Sequence, residues 1–93
     1  MSDMVWQLRR DTISWRRSGE TVIVISHRTS AYLSVDGTAL IVWDALANGA
    51  TVEEILGRVT EQYDVEAEEA RVDIQRFLSD LLRRQMVSTH LNK

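Results

Sequence analysis

Few residues in this chain stand where catalysis would need them. Of the two histidines, His27 falls in a polar break and His90 near the end of the sequence. Neither has a carboxylate or a second histidine at ligand spacing, so no metal site is expected. The carboxylate pairs Glu53/Glu54 and Glu68/Glu69 are sequence neighbours in what read as helix starts. Neighbours on a helix point apart, so these pairs suit a helix N-terminus better than acid–base work. There is no cysteine, hence no thiolate nucleophile and no disulfide. No Gly-rich phosphate loop and no serine elbow occurs. Arg16 and Arg17 beside Trp15 could touch a phosphate backbone, or could be a solvated strand end. The expectation is a protein without catalysis, cofactor or metal.

What the residues can do is bind by shape. Ser30, Ala31, Tyr32, Leu33, Ser34 and Val35 form a strand-like run without lysine, arginine, glutamate or proline. At the edge of a sheet, such a strand leaves main-chain N–H and C=O groups free. An extended peptide can add there as a further strand. Asp73, Phe77, Asp80 and Arg84 share one side of a later helical stretch, at spacings of three, four and seven. That side could wall a groove beside the strand. Spacing alone favours the plainer arrangement, with Phe77 in the core and the two aspartates solvated.

These residues need a scaffold, and the hydrophobic pattern supplies one. Thr12 to Arg16 alternates, with Ile13 and Trp15 on one face, the period of a half-buried strand. Arg17-Ser18-Gly19-Glu20 makes a turn. Val22 to Ile25 is apolar on both faces, as a central strand would be. Ala31 to Val35 follows as a third strand, with Ala31, Leu33 and Val35 on one face and Tyr32 and Ser34 on the other. Asp36 is then a good N-cap for a first helix. Leu40, Trp43 and Leu46/Ala47 form its stripe, and Asn48-Gly49 ends it as an αL cap. Thr51 to Glu54 reads as a capping box for a second helix, with Ile55, Leu56 and Val59 inward and Tyr63 after them. A third helix starts near Glu66 and ends near Gln85, with Ala70, Ile74, Phe77, Leu78 and Leu81 as its core stripe. Met86-Val87 then tuck back onto the core. The expected architecture is α+β and winged-helix-like: a three-stranded antiparallel sheet followed by three helices. Residues 1–11 are expected to be a flexible segment, residues 12–87 the domain, and residues 88–93 a tail.

Ninety-three residues suffice for one small domain. No apolar run is long enough for a signal peptide or a bilayer span, so no membrane association is expected. The absence of cysteine fits a cytoplasmic protein. The net charge is −3, but it is unevenly spread. Residues 1–35 carry +2 and residues 36–93 carry −5. A nucleic-acid binder usually has a basic recognition helix. Here the helical half is the acidic half, which counts against DNA. A winged-helix DNA binder stays as a lesser alternative.

In order along the chain come VIVISHRTSAYLSVDGTALIVWDAL, TVEEIL at Thr51 to Leu56, and DIQRFLSDL at Asp73 to Leu81. This succession resembles the PqqD-like family, the peptide-binding modules called RiPP recognition elements. The likeness runs from about Ile13 to Val87. Two positions depart from the family pattern. Val35-Asp36 stands where Leu-Asn is frequent, and Gln85-Met86 where a Gly-Leu pair often follows the third helix. The resemblance implies that the leader segment of a ribosomally made precursor docks as a strand on the third strand, in the cleft with the third helix. Carried over, the edge is Ser30 to Val35 and the wall is Asp73, Arg76, Phe77 and Asp80. Phe77 would floor a pocket for an apolar leader side chain, and the aspartates would attract leader Lys or Arg. The free-standing length looks most like the discrete leader-binding proteins of lasso-peptide pathways, which serve a leader peptidase and a macrocyclase. The alternative is a PqqD proper, presenting its precursor to a radical enzyme in quinone-cofactor assembly.

Overall fold

The computed structural model describes residues 4–91. In chain order they form β1 (Met4–Leu8), β2 (Ile13–Ser18), β3 (Thr21–Ser26), β4 (Tyr32–Asp36), α1 (Thr38–Asn48), α2 (Val52–Gln62), α3 (Ala67–Arg83) and β5 (Val87–Leu91). The three-stranded antiparallel sheet β2-β3-β4 followed by three helices is the expected core. Its inner face carries Ile13, Val22, Val24 and Val35, all buried. Trp43 of α1 sits behind them, edge-on to Trp15 with ring centroids 5.7 Å apart. Ile55, Leu56 and Val59 of α2 and Ala70, Ile74, Leu78 and Leu81 of α3 complete the core.

The β2–β3 hairpin closes through the two-residue loop Gly19-Glu20, with Ser18 opposite Thr21. The β3–β4 loop is built around one hydroxyl. Ser26 Oγ accepts from the N–H groups of Arg28 and Thr29 at 3.2 and 3.3 Å, and Ser26 is buried. That single side chain satisfies two donors of a turn that has no glycine.

Five expectations need correction. Residues 4–8 are not loose: they form β1, paired antiparallel with β5 from Met4↔Leu91 to Leu8↔Val87. By the same pairing residues 88–91 are strand rather than tail. The remainder of both expected loose segments, residues 1–3 and 92–93, lies outside the described residues. Asp36 is not the cap of α1. It remains in β4 opposite Thr21, and the cap is Gly37 at φ 62°, ψ −138°, a backbone region essentially confined to glycine. The αL cap at Gly49 is wrong in ψ, which is 129°. This glycine is required for a second reason: a Cβ there would stand 3.3 Å from Val5 Cγ1 of β1. Finally, Tyr63 does not continue the inward row of α2 but is exposed.

Two helix ends behave as the sequence implies. Thr51 and Glu54 form the reciprocal capping box, at 2.9 and 3.2 Å. The end of α3 is a Schellman motif: the Met86 N–H donates to Leu81 O and the Gln85 N–H to Leu82 O, both at 2.9 Å. Gln85 therefore holds the left-handed position at φ 61°, where glycine costs least. Its carbonyl accepts from the buried Thr12 hydroxyl at 2.8 Å, which ties the β1–β2 turn to the end of α3.

Candidate peptide-binding edge and cleft

The antiparallel register decides which main-chain groups of β4 are free. Residues opposite one another alternate between pairs that exchange both hydrogen bonds and pairs that exchange none. The Ser26 N–H donates to Ala31 O at 2.9 Å, which marks a bonded pair. Counting from it, Val24↔Leu33 and Val22↔Val35 are the next bonded pairs, and Ile25↔Tyr32 and Ile23↔Ser34 are the unbonded ones. The N–H and C=O groups of Tyr32 and Ser34 therefore point away from β3, to the open side of the sheet. Among the described residues β4 has no neighbour strand on that side.

Side chains alternate in the same rhythm. Leu33 is half-buried and packs on the core, and Val35 is fully buried. Tyr32, 70% exposed, and Ser34 stand on the outer face. Val35 can thus reach a partner only through its neighbours' backbone. Ser30 and Ala31 lie in the loop before the strand. The Ser30 N–H donates to Ser26 O and the Ala31 N–H to Thr29 Oγ1 at 3.3 Å. Of the six positions expected to form the edge, two have their own main chain free for pairing.

On α3 the structure brings Asp73, Arg76, Phe77 and Asp80 together along one open groove. Asp73 and Phe77 also line a deeper cavity of about 270 Å³ between α3, the start of α1 and α2. No residue from Ser30 to Val35 lines either hollow. The link to the edge is Thr38 and Ala39, which line the cavity and follow β4 directly. Phe77 resolves the open question of its role by doing both: it packs on the core and lines the cavity. Asp80 differs from expectation. Its carboxylate is bound to Arg83 and, at 3.1 Å, to Arg84. Asp73 and Arg76 make no hydrogen bond or ion pair among the described residues.

Thr38, Ala39, Val42, Val59, Val65, Glu69, Ala70 and Ile74 complete the cavity and were not anticipated. Val59, Ala70 and Ile74 read as core from the sequence, because the hollow is made by three helices meeting imperfectly. Glu69 had a usable signal, lying one turn before Asp73. Elsewhere on the helical layer some acids are paired. Arg71 bridges Glu53 of α2 and Glu68 of α3, and its hydrogen bond holds the Glu53 carboxyl below its ordinary value.

Among the described residues no group of three or more His, Cys, Asp or Glu side chains could hold a metal. His27 Nε2 lies 2.7 Å from Ser14 Oγ; both are exposed, and no carboxylate among the described residues orients the ring. No helix of the described residues is long and apolar enough to cross a membrane.

A family model described as coenzyme PQQ synthesis protein D matches residues 21–87. No curated protein matches the sequence. Two solved structures share the fold. One is TbiB1 in complex with the TbiA(beta) leader peptide, with a TM-score of 0.82 and 20% identity, covering 92% of this chain and 99% of that one. The other is lasso peptide synthetase B1 complexed with the leader peptide, with a TM-score of 0.76 and 26% identity, covering 89% of this chain and 96% of that one.

Proposed function

The chain belongs to the PqqD family, and from that premise we propose that it binds the leader segment of a ribosomally made precursor peptide. The leader adds as a strand to β4 and is presented to a leader peptidase and a macrocyclase in lasso-peptide biosynthesis. The role is binding without turnover, and the cysteine-free sequence suits the reducing cytoplasm. The observation that carries this reading is the bare β4 edge, with four outward main-chain groups on Tyr32 and Ser34 beside a mostly apolar cavity. Main-chain pairing gives affinity there, and the cavity gives side-chain selection. Two proteins of the same fold are described as bound to leader peptides, one of them a lasso peptide synthetase component. The name of the family model supports the other reading, presentation to a radical enzyme in quinone-cofactor assembly.

Anisotropy titration tests the proposal. The probe is the labelled leader of the precursor peptide encoded nearest this protein, with its core peptide and a random DNA duplex as controls. Saturable binding of the leader alone is expected. Binding of the duplex alone would transfer the protein to the winged-helix DNA class. The edge is tested by Ser34→Pro, which removes an outward N–H and leaves the β3 ladder intact. Unchanged leader affinity in that folded variant would overturn the assignment of the edge.

A further inference from the structure

Resting on the leader-binding reading, we infer that the cavity between α1 and α3 selects a basic side chain of the leader, with Glu69 and Asp73 as its counter-charges. Some acids of the helical layer are paired with arginine, and others, Glu54 and Glu61 among them, are not, among the described residues. Glu53 and Glu68 share Arg71, and Asp80 has Arg83 and Arg84. Glu69 and Asp73 have no cation among the described residues, and both line the cavity. They are one turn apart on the same face of α3, an arrangement in which like charges repel. The positive N-terminus of α3 offsets this for Glu69, which is in the first turn. It does so much less for Asp73, a turn further on.

The rest of the lining limits what can enter. Val42, Val59, Ile74 and Phe77 are apolar, and no arginine or histidine among the described residues lines the cavity. An acidic side chain would be repelled. A wholly apolar one would strip water from two carboxylates and return nothing. A lysine or arginine matches both parts, its methylene stem against the apolar wall and its cationic head at the mouth. Thr38 and Ala39 place this cavity just past the Asp36 end of β4. The selected residue therefore sits at that end of the docked strand, outside the segment paired to Tyr32 and Ser34. The expectation that Asp73 acts with Asp80 is replaced: Asp80 has its own arginines, and Asp73 acts with Glu69.

The test is a double-mutant cycle by anisotropy. The same labelled leader is titrated with the wild type, Ser34→Pro, and the double variant Glu69→Gln/Asp73→Asn, whose altered side chains are exposed. Each leader Lys or Arg is replaced in turn by norleucine. The double variant should bind about three- to tenfold more weakly at low ionic strength, and the gap should shrink in high salt. One norleucine peptide should show the same loss on the wild type and no further loss on the double variant. Equal affinity of the double variant, a loss coupled to no basic residue, or tight binding of a leader without Lys or Arg would each overturn the inference. Failure of strand addition is seen separately: a leader that does not bind the wild type, or binds Ser34→Pro just as well, contradicts the underlying reading. A weakened Ser34→Pro with an unchanged double variant overturns the cation selection alone.

Discussion

The two edges of one sheet have opposite designs. At β2, Arg17 is bound to Asp44 of α1 at 2.8 and 2.9 Å. Arg10 stacks over Trp15 with its guanidinium 4.9 Å from the ring centroid, and donates to Ala47 O at 3.1 Å. Charge and a stacked cation close that side. At β4 no lysine, arginine, glutamate or proline stands from Ser30 to Val35, and no strand of the described residues pairs beyond it. An exposed edge is a hazard that folded proteins normally suppress. A sheet that is guarded at one edge and bare at the other is asymmetric in the way a strand-accepting surface requires.

The largest way to break this contrast is at the register. Ser34→Pro should keep its fold, checked by circular dichroism, and lose leader affinity by more than tenfold. One main-chain hydrogen bond at roughly 1 kcal/mol goes, and the ring's bulk enters the interface. Leu33→Pro should instead unfold the sheet, because its N–H belongs to the bonded pair with Val24. If the two variants behave alike, the register argument fails. Phe77→Ala comes next. It should cost about 2 kcal/mol in denaturant unfolding, less than the roughly 3–5 of a fully buried phenylalanine, and should weaken leader binding as well.

Gln85→Gly sharpens the comparison from the side remote from the edge. It relieves a left-handed residue, so stability should rise by about 1 kcal/mol and Tm by roughly 4–8 °C, with leader affinity unchanged. The smallest effect is that of pH. The Arg71 hydrogen bond holds Glu53 below its ordinary pKa. Its stabilisation is therefore present above the usual carboxylate range and lost as pH falls through the depressed value. An Arg71→Gln variant should show a shallower acid-side fall in Tm than the wild type. Parallel Tm profiles would remove Arg71 as the clasp between α2 and α3.

Local pattern carried most of the fold into the sequence. Alternation marked β2 and β4, a continuous apolar run marked β3, and helical stripes marked α1 to α3. Thr51 and Glu54 are three residues apart, so their capping box is readable without tertiary knowledge. The β1–β5 pair was not readable, because Met4–Leu8 and Val87–Leu91 are short and meet only after the whole chain has closed. The cap of α1 moved from Asp36 to Gly37 because β4 runs on through Asp36, opposite Thr21, and the chain turns into the helix one residue later. At the site, the edge and Phe77 were legible as a bare strand and an aromatic on a helix flank. The engagement of Asp80 with Arg83 and Arg84 follows from spacings of three and four, yet spacing does not say whether an acid serves its own helix or a ligand. The cavity lining was invisible for a plainer reason: a hollow between three helices is lined by the residue types that build a core.

The central claim is that Tyr32 and Ser34 offer the free main-chain groups of β4. Amide hydrogen exchange followed residue by residue by NMR tests it most directly, with isotope-labelled protein alone and saturated with the leader. In the free protein Leu33 and Val35 should exchange slowly and Tyr32 and Ser34 fast. On saturation Tyr32 and Ser34 should become protected, with Leu33 and Val35 little changed. A leader that saturates the protein while Tyr32 and Ser34 exchange as fast as before would contradict strand addition at this edge.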